Sequence, residues 1–208
     1  NGNDRPHTSR ACYYDIRKRA YQKFIISNSK LNRMVLSIPI YIFLFACLSC
    51  PSVLHAQLRE RVSEVYSKEI GIREKTGNND GQRVEEYLKS CSLKKGNPWC
   101  AAFVTWTFKK AGVDAVISAY SPSWFPSKRT IYTRGSKGNK TPLKADVFGI
   151  YFSSKGRIAH VGFIDEWDNN SYCITVEGNT NDEGSREGDG VYRKRRLKSQ
   201  IYKVSRFI

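Results

Sequence analysis

Histidine and methionine are scarce in this chain, at 3 and 1 of 208 residues. The histidines stand at His7, His55 and His160, so a His-rich metal cluster is excluded. Zinc is disfavoured too, because Cys91, Cys100, Cys173 and His160 include no pair at the close C-x2–4-C spacing of structural sites. Acidic residues are few, 19 against 35 basic ones. The stretch "NTNDEGSREGDG" (179–190) is rich in oxygen ligands but lacks the ligand order of a calcium-binding EF-hand loop. There is no internal repeat. The longest apolar run, "MVLSIPIYIFLFACLSC" (34–50), is short for a membrane span and is broken by Ser37 and Pro39.

That run follows Lys30 and Arg33 and precedes "PSVLHAQ", the pattern of a signal-peptide core with cleavage after Ala56. A retained anchor or a lipidated Cys47 is the alternative. The reading divides the chain into a basic extension (1–33) upstream of a start at Met34, a signal segment (34–56) and one domain (57–208). It places the product outside the cytoplasm, periplasmic or secreted, with only transient membrane contact. Before Gln57 there are 8 basic and 2 acidic residues, which leaves 27 against 17 in the domain. The domain is therefore basic by itself, which fits an anionic partner such as wall polymer, phospholipid or nucleic acid. Three cysteines, Cys91, Cys100 and Cys173, remain after the cut. An odd number in an exported domain leaves a thiol to explain; a Cys91–Cys173 bridge would leave Cys100 free.

The domain reads as helices followed by strands. Leu58, Val62, Val65 and Ile70 form a helical stripe over 57–70 that stops at Gly71. A turn cluster at 76–81 offers Asn79 or Asp80 as the cap of a short helix over 81–91. In "NPWCAAFVTW" (97–106), Asn97 suits an N-cap and Pro98 a first helical position, and the helix runs to about Ala111. Residues 118–145 are loop-rich. Strands follow at 146–152, 157–164, 171–178, 190–197 and 201–207, with short polar connections that favour an antiparallel sheet. The fold class is α+β.

Cys100 falls in the first turn of its helix, where unpaired N–H groups and the helix dipole favour a thiolate. His160 is the only imidazole after the cut; alternation puts it on one face with Ile158, Gly162 and Ile164, and Gly162 leaves room for a partner. Glu177 and Asn179 end the next strand, and either can accept the Nδ1–H of His160 if the chain stays extended through Gly178. Each residue alone has an ordinary structural explanation. Together they supply a nucleophile, a base and an orienting group. Trp99, Phe103 and Trp106 suit core packing, whereas Trp124, in a Pro-flanked loop, is a candidate substrate wall or core anchor. "YRKRRLK" (192–198) reads as a charged, solvated edge strand.

The ordered blocks "GNPWCAAFVTW", "RIAHVGFI" and "TVEGNT" resemble the signature segments of CHAP-domain cysteine amidohydrolases and peptidases, peptidoglycan-cleaving enzymes of the papain-like NlpC/P60 superfamily. The resemblance implies a papain-like fold, N-terminal helices packed on a C-terminal antiparallel sheet. It also implies Cys100 as nucleophile, His160 as base, Glu177 as orienter and Asn179 as a supporting polar group. The substrate class is a peptidoglycan peptide, cleaved at an amide bond as amidase or endopeptidase, with no metal or organic cofactor required. "LKADVFGIYF" is similar to the family's Pro-Gly-Asp turn and strand, but Lys144 and Ala145 replace Pro-Gly, which puts the turn conformation in question. The alternative function is a catalytically idle binder of wall or other polyanions on the same fold.

Overall fold

The computed structural model describes residues 51–181 and 188–208. Apart from the first turn of the helix Pro51–Lys68, the architecture described below lies in one compact unit, His55–Ile208. The basic extension, Cys12, Cys47 and Cys50, the apolar run at 34–50 and residues 182–187 of the loop at 179–190 lie outside the described residues.

Among the described residues three α-helices precede a six-stranded sheet: α1 (Pro51–Lys68), α2 (Gln82–Lys89) and α3 (Cys100–Lys110), then β1 (Thr130–Thr133), β2 (Val147–Phe152), β3 (Arg157–Glu166), β4 (Tyr172–Thr180), β5 (Gly190–Leu197) and β6 (Lys203–Ser205). The strands pair antiparallel throughout, in the order β1-β6-β2-β3-β4-β5. The α+β class holds, with the helices N-terminal to the sheet. Among the described residues no helix is long and apolar enough to cross a membrane.

Several boundaries differ from the sequence expectation, each for a local reason. α1 starts at Pro51, whose missing N–H costs nothing in a first turn, and it stops at Lys68. Ile70, expected on its stripe, is exposed, whereas Tyr66 and Glu69 are buried. Neither Asn79 nor Asp80 caps α2: Asn79 takes a left-handed φ of 54°, and Asp80 accepts from the Thr76 N–H and hydroxyl (both 2.9 Å). β1 arises inside the segment read as loop, where it forms the sheet edge by pairing with the short final strand β6.

α3 is buried from Cys100 to Phe108 and lies across β3 and β4. Its aromatics lock the layers together. Phe108 stacks on Trp124 (5.7 Å) and meets Phe163 edge-on (5.3 Å), while Tyr87 of α2 stacks on Trp99 (5.4 Å). Trp124 is fully buried and donates to the Ser118 carbonyl (3.2 Å), so it anchors the core rather than walling a substrate. Trp99, Phe103 and Trp106 pack as expected.

Ala145 adopts φ 65°, a left-handed conformation that a residue with a Cβ enters at a cost of about 1–2 kcal/mol. The turn before β2 thus keeps a shape suited to glycine despite the Lys144-Ala145 replacement. Asp146, next in sequence, holds it there. Its fully buried carboxylate accepts from Leu143 N–H (2.8 Å), Arg59 Nη1 (3.0 Å) and Arg206 Nη2 (2.8 Å), tying α1, the turn and the chain end together. Removing one partner of a buried ion pair leaves uncompensated charge. Asp146→Ala is expected to lower unfolding free energy by about 3 kcal/mol, measured by urea denaturation, with Cys100 reactivity of the folded fraction unchanged.

Candidate active site

Cys100 is the first residue of α3, and Trp99 rather than Asn97 occupies the cap position; the Asn97 side chain bonds the Lys94 carbonyl instead (2.9 Å). No side chain caps this end. The first helical bond runs from Phe103 N–H to the Trp99 carbonyl (2.8 Å). The N–H groups at the start of the helix therefore have no acceptor within it, and they lie beside the sulfur.

The helix can sit this close to the sheet because of Gly178. A Cβ there would fall 2.7 Å from Trp99 Cζ3 and 2.9 Å from Phe103 Cβ, so any side chain would push the start of α3 away from β4. Gly162 does the same within the sheet. A Cβ on it would meet the Val176 carbonyl at 2.7 Å and Glu177 Cγ at 3.1 Å, so its absence admits the Glu177 side chain.

His160 owes its aim to a bulge. The β2–β3 register steps from Ile150↔His160 to Tyr151↔Ile158, which makes Ala159 the extra residue. Ile158 therefore does not share the His160 face, contrary to simple alternation; it packs with Val161 and Phe163 under the helices. Bulges re-aim side chains in this way. The imidazole stands edge-on to Phe148 (6.2 Å) with its side chain 12% exposed.

His160 Nε2 lies 2.7 Å from Glu177 Oε2. This corrects the expected atom: Glu177 takes Nε2, not Nδ1, which leaves Nδ1 for the hydrogen bond between the ring and Cys100. Glu177 has no solvent exposure. Beyond His160 it accepts from the Thr175 hydroxyl (2.5 Å) and from both Nε and Nη2 of Arg196, the latter at 2.6 Å. Asn179 does not join them. The β4–β5 register breaks between Glu177 and Thr180, and Asn179 turns left-handed (φ 55°). With both amide atoms partnered, its oxygen accepts from Trp99 N–H (2.9 Å) and its nitrogen donates to the Gly188 carbonyl (3.0 Å). It thus ties β4 to the residue preceding Cys100.

The electrostatics follow from this geometry. Burial pushes the Cys100 thiol up, but the hydrogen bond and charge of His160, with the Ser121 hydroxyl (3.7 Å from Sγ) and the Val161 N–H, outweigh it and hold the thiol below its ordinary range. Burial likewise opposes the imidazolium, yet the bonds to Cys100 and Glu177 raise His160 to about 9. Glu177 lies well below the usual carboxylate range: burial works against its charge, and Arg196 and His160 overcome it. The arrangement can hold a thiolate–imidazolium pair, with a carboxylate beneath the ring.

Sequence reasoning missed two members. Ser121 sits in a short 3-10 turn (Ser121–Trp124) that nothing in its spacing marks, and Arg196 lies in the run read as solvated edge charge. Cys91, Cys100 and Cys173 are all free thiols, so the Cys91–Cys173 bridge is not formed. Among the described residues no group of three His, Cys, Asp or Glu is placed to hold a metal ion.

Comparison with known proteins falls on these same elements. Residues 92–179 match the CHAP domain. The CHAP segment covers less than half of the chain but runs from just before α3 to Asn179, so it contains Cys100, His160 and Glu177. CHAP domains are generally hydrolases acting on peptidoglycan. No curated protein and no solved structure matches the chain.

The raised His160 group fixes a sign. The folded chain binds this proton more tightly than an unfolded one, so its stabilising contribution is complete below pH 6.5 and is lost as pH rises through about 9. At pH about 6, iodoacetamide is expected to alkylate Cys100 at least about tenfold faster than free cysteine, with His160→Ala abolishing the advantage. Peptide mapping of the labelled sulfur against pH checks both; equal rates in wild type and variant would refute the ion pair.

Proposed function

We propose that the chain is an exported cysteine hydrolase that cleaves amide bonds in peptidoglycan, with Cys100 as nucleophile, His160 as base and then acid, and Glu177 as the group that orients the imidazole. The observation that carries this reading is the unbroken line of contacts from Sγ of Cys100 through the His160 ring to the buried Glu177 carboxylate. The CHAP match supplies the substrate class. Export rests on the apolar segment at 34–50, which lies outside the described residues.

The chemistry runs through this chain's own groups. The Cys100 thiolate adds to the amide carbonyl carbon, and the electron pair of the C=O bond moves onto oxygen. The backbone N–H of Cys100, free of helical partners, is available to that oxyanion. As the intermediate collapses, the C–N bond breaks and His160 passes its proton to the departing amine, leaving a thioester. Water then attacks the thioester with His160 accepting its proton, and release of the acid regenerates thiolate and imidazolium. Throughout, Glu177 receives the Nε2–H and holds the ring in one orientation. Asn179 acts one step back, fixing the backbone at Trp99 where the helix begins. The basic surface of the domain favours approach to anionic wall polymers.

Purified sacculi incubated with the wild-type chain are expected to release new ends identifiable by mass spectrometry, and Cys100→Ala to reduce that release by at least about 10³-fold. New muramic-acid ends would define an amidase, new amino-acid ends an endopeptidase. Sacculi left intact by the wild-type chain would favour an idle, polyanion-binding role.

A further inference from the structure

Arg196 stands in a run of cations on the edge strand β5, where alternation and charge predict solvated side chains. Its neighbours behave so in part: Arg193 pairs with Asp165 (2.8 Å) and Glu166, and Arg195 lies over the Tyr172 ring (3.6 Å). Arg196 turns the other way. Its side chain is 14% exposed and its guanidinium closes on Glu177 with two parallel bonds, Nε to Oε1 and Nη2 to Oε2. Oε1 also takes the Thr175 hydroxyl, and Oε2 the imidazole, so each oxygen has one partner from β5 and one from β3 or β4.

We propose that Arg196 is a positioning residue of the thiol site: its fork fixes both Glu177 oxygens and keeps the carboxylate ionised beneath the imidazole, so that the Cys100–His160 pair survives at lower pH than Glu177 alone could sustain. It acts through Glu177 and touches neither sulfur nor substrate. The proposal rests on the hydrolase reading only in treating this thiol as the reactive one.

The surroundings of Glu177 leave this task to few groups. His160 reaches it from β3, and His160 and Arg196 form its ion pairs among the described residues. Lys194 of β5 directs its ammonium to Thr180 Oγ1 and the Asn181 carbonyl. Cys173, on β4 two residues before Thr175, has a thiol that burial pushes up to about 11, so it stays neutral over the relevant range. Lys198 turns to Asp168, and β2 offers Phe148, which carries no charge. A guanidinium beside a carboxylate lowers its proton affinity by about one to three pH units, and a bidentate fork adds geometry that an ammonium cannot copy. Without the fork, a carboxylate with no solvent contact takes up a proton as pH falls, and the imidazolium loses its counter-charge.

The test needs no substrate: the pH profile of Cys100 alkylation by iodoacetamide, followed by peptide mapping in the purified full chain. In Arg196→Gln the acid side of the profile is expected to move to higher pH by about one unit or more. Arg196→Lys should give a smaller shift in the same direction, and it carries the test if Arg196→Gln does not fold. In a Glu177→Gln background, Arg196→Gln should add nothing. Profiles of either Arg196 variant that superpose on wild type, or a shift that persists in the Glu177→Gln background, would overturn the proposal. A shifted profile in a chain that leaves sacculi intact would uphold it while removing the hydrolase reading.

Discussion

A carboxylate sealed from water is tolerated only where its charge is met on every side, and Glu177 imposes that condition on three strands at once. It needs an imidazole from β3, a hydroxyl from its own strand and a guanidinium from β5, each within hydrogen-bond reach. The condition runs outward from there. The His160 ring is held by Glu177 on one nitrogen and so presents the other to Cys100. The thiol is then buried next to a positive charge rather than next to bare hydrocarbon. Desolvation, which by itself would keep a thiol protonated, is overturned by one neighbour that owes its own charge to another.

Close approach of main chains makes this charge ladder geometrically available. Two glycines stand where strands and helix must nearly touch, Gly162 under the Glu177 side chain and Gly178 under Trp99 and Phe103. The break in β4 just after Glu177 turns Asn179 away from the ring and onto the backbone that leads into α3. The helix start is therefore placed by packing, through the Trp99–Tyr87 stack, and by a polar tie to the very strand that carries the Glu177 carboxylate. Cys100 and Glu177 share one local scaffold.

Asp146, immediately before β2 and beside Ile164 of β3, plays a comparable part with a different outcome. It too is a fully buried carboxylate met by guanidiniums, those of Arg59 and Arg206, and among the described residues no imidazole or thiol bonds to it. Its ion pairs stabilise a turn in which Ala145 takes a conformation suited to glycine. The same physical device thus serves as a clamp in one place and as the support of a buried imidazole and thiol in the other. What distinguishes them is the neighbour on the remaining side.

Much of this architecture was legible in the residues themselves. The 3.6-residue and two-residue periods separated helices from strands, because burial on one face is a local property of sequence. A cysteine at the start of an uninterrupted apolar helix, a lone strand histidine and a strand-end glutamate marked the site for the same reason. The sequence could not reveal which histidine nitrogen met which partner, that Ala159 and Gly178–Asn179 would break the alternation, or that Arg196 would turn inward while Arg193 and Arg195 turned out. Nor could it place Ser121 beside the sulfur. These depend on strand register and on charges meeting across elements far apart in the chain, and pairing energies of that kind exist only once the strands are assembled. Local pattern determined which elements form and where the reactive groups lie along them; only the tertiary structure decided which charges face one another, because that is settled by long-range contact rather than by neighbours in sequence.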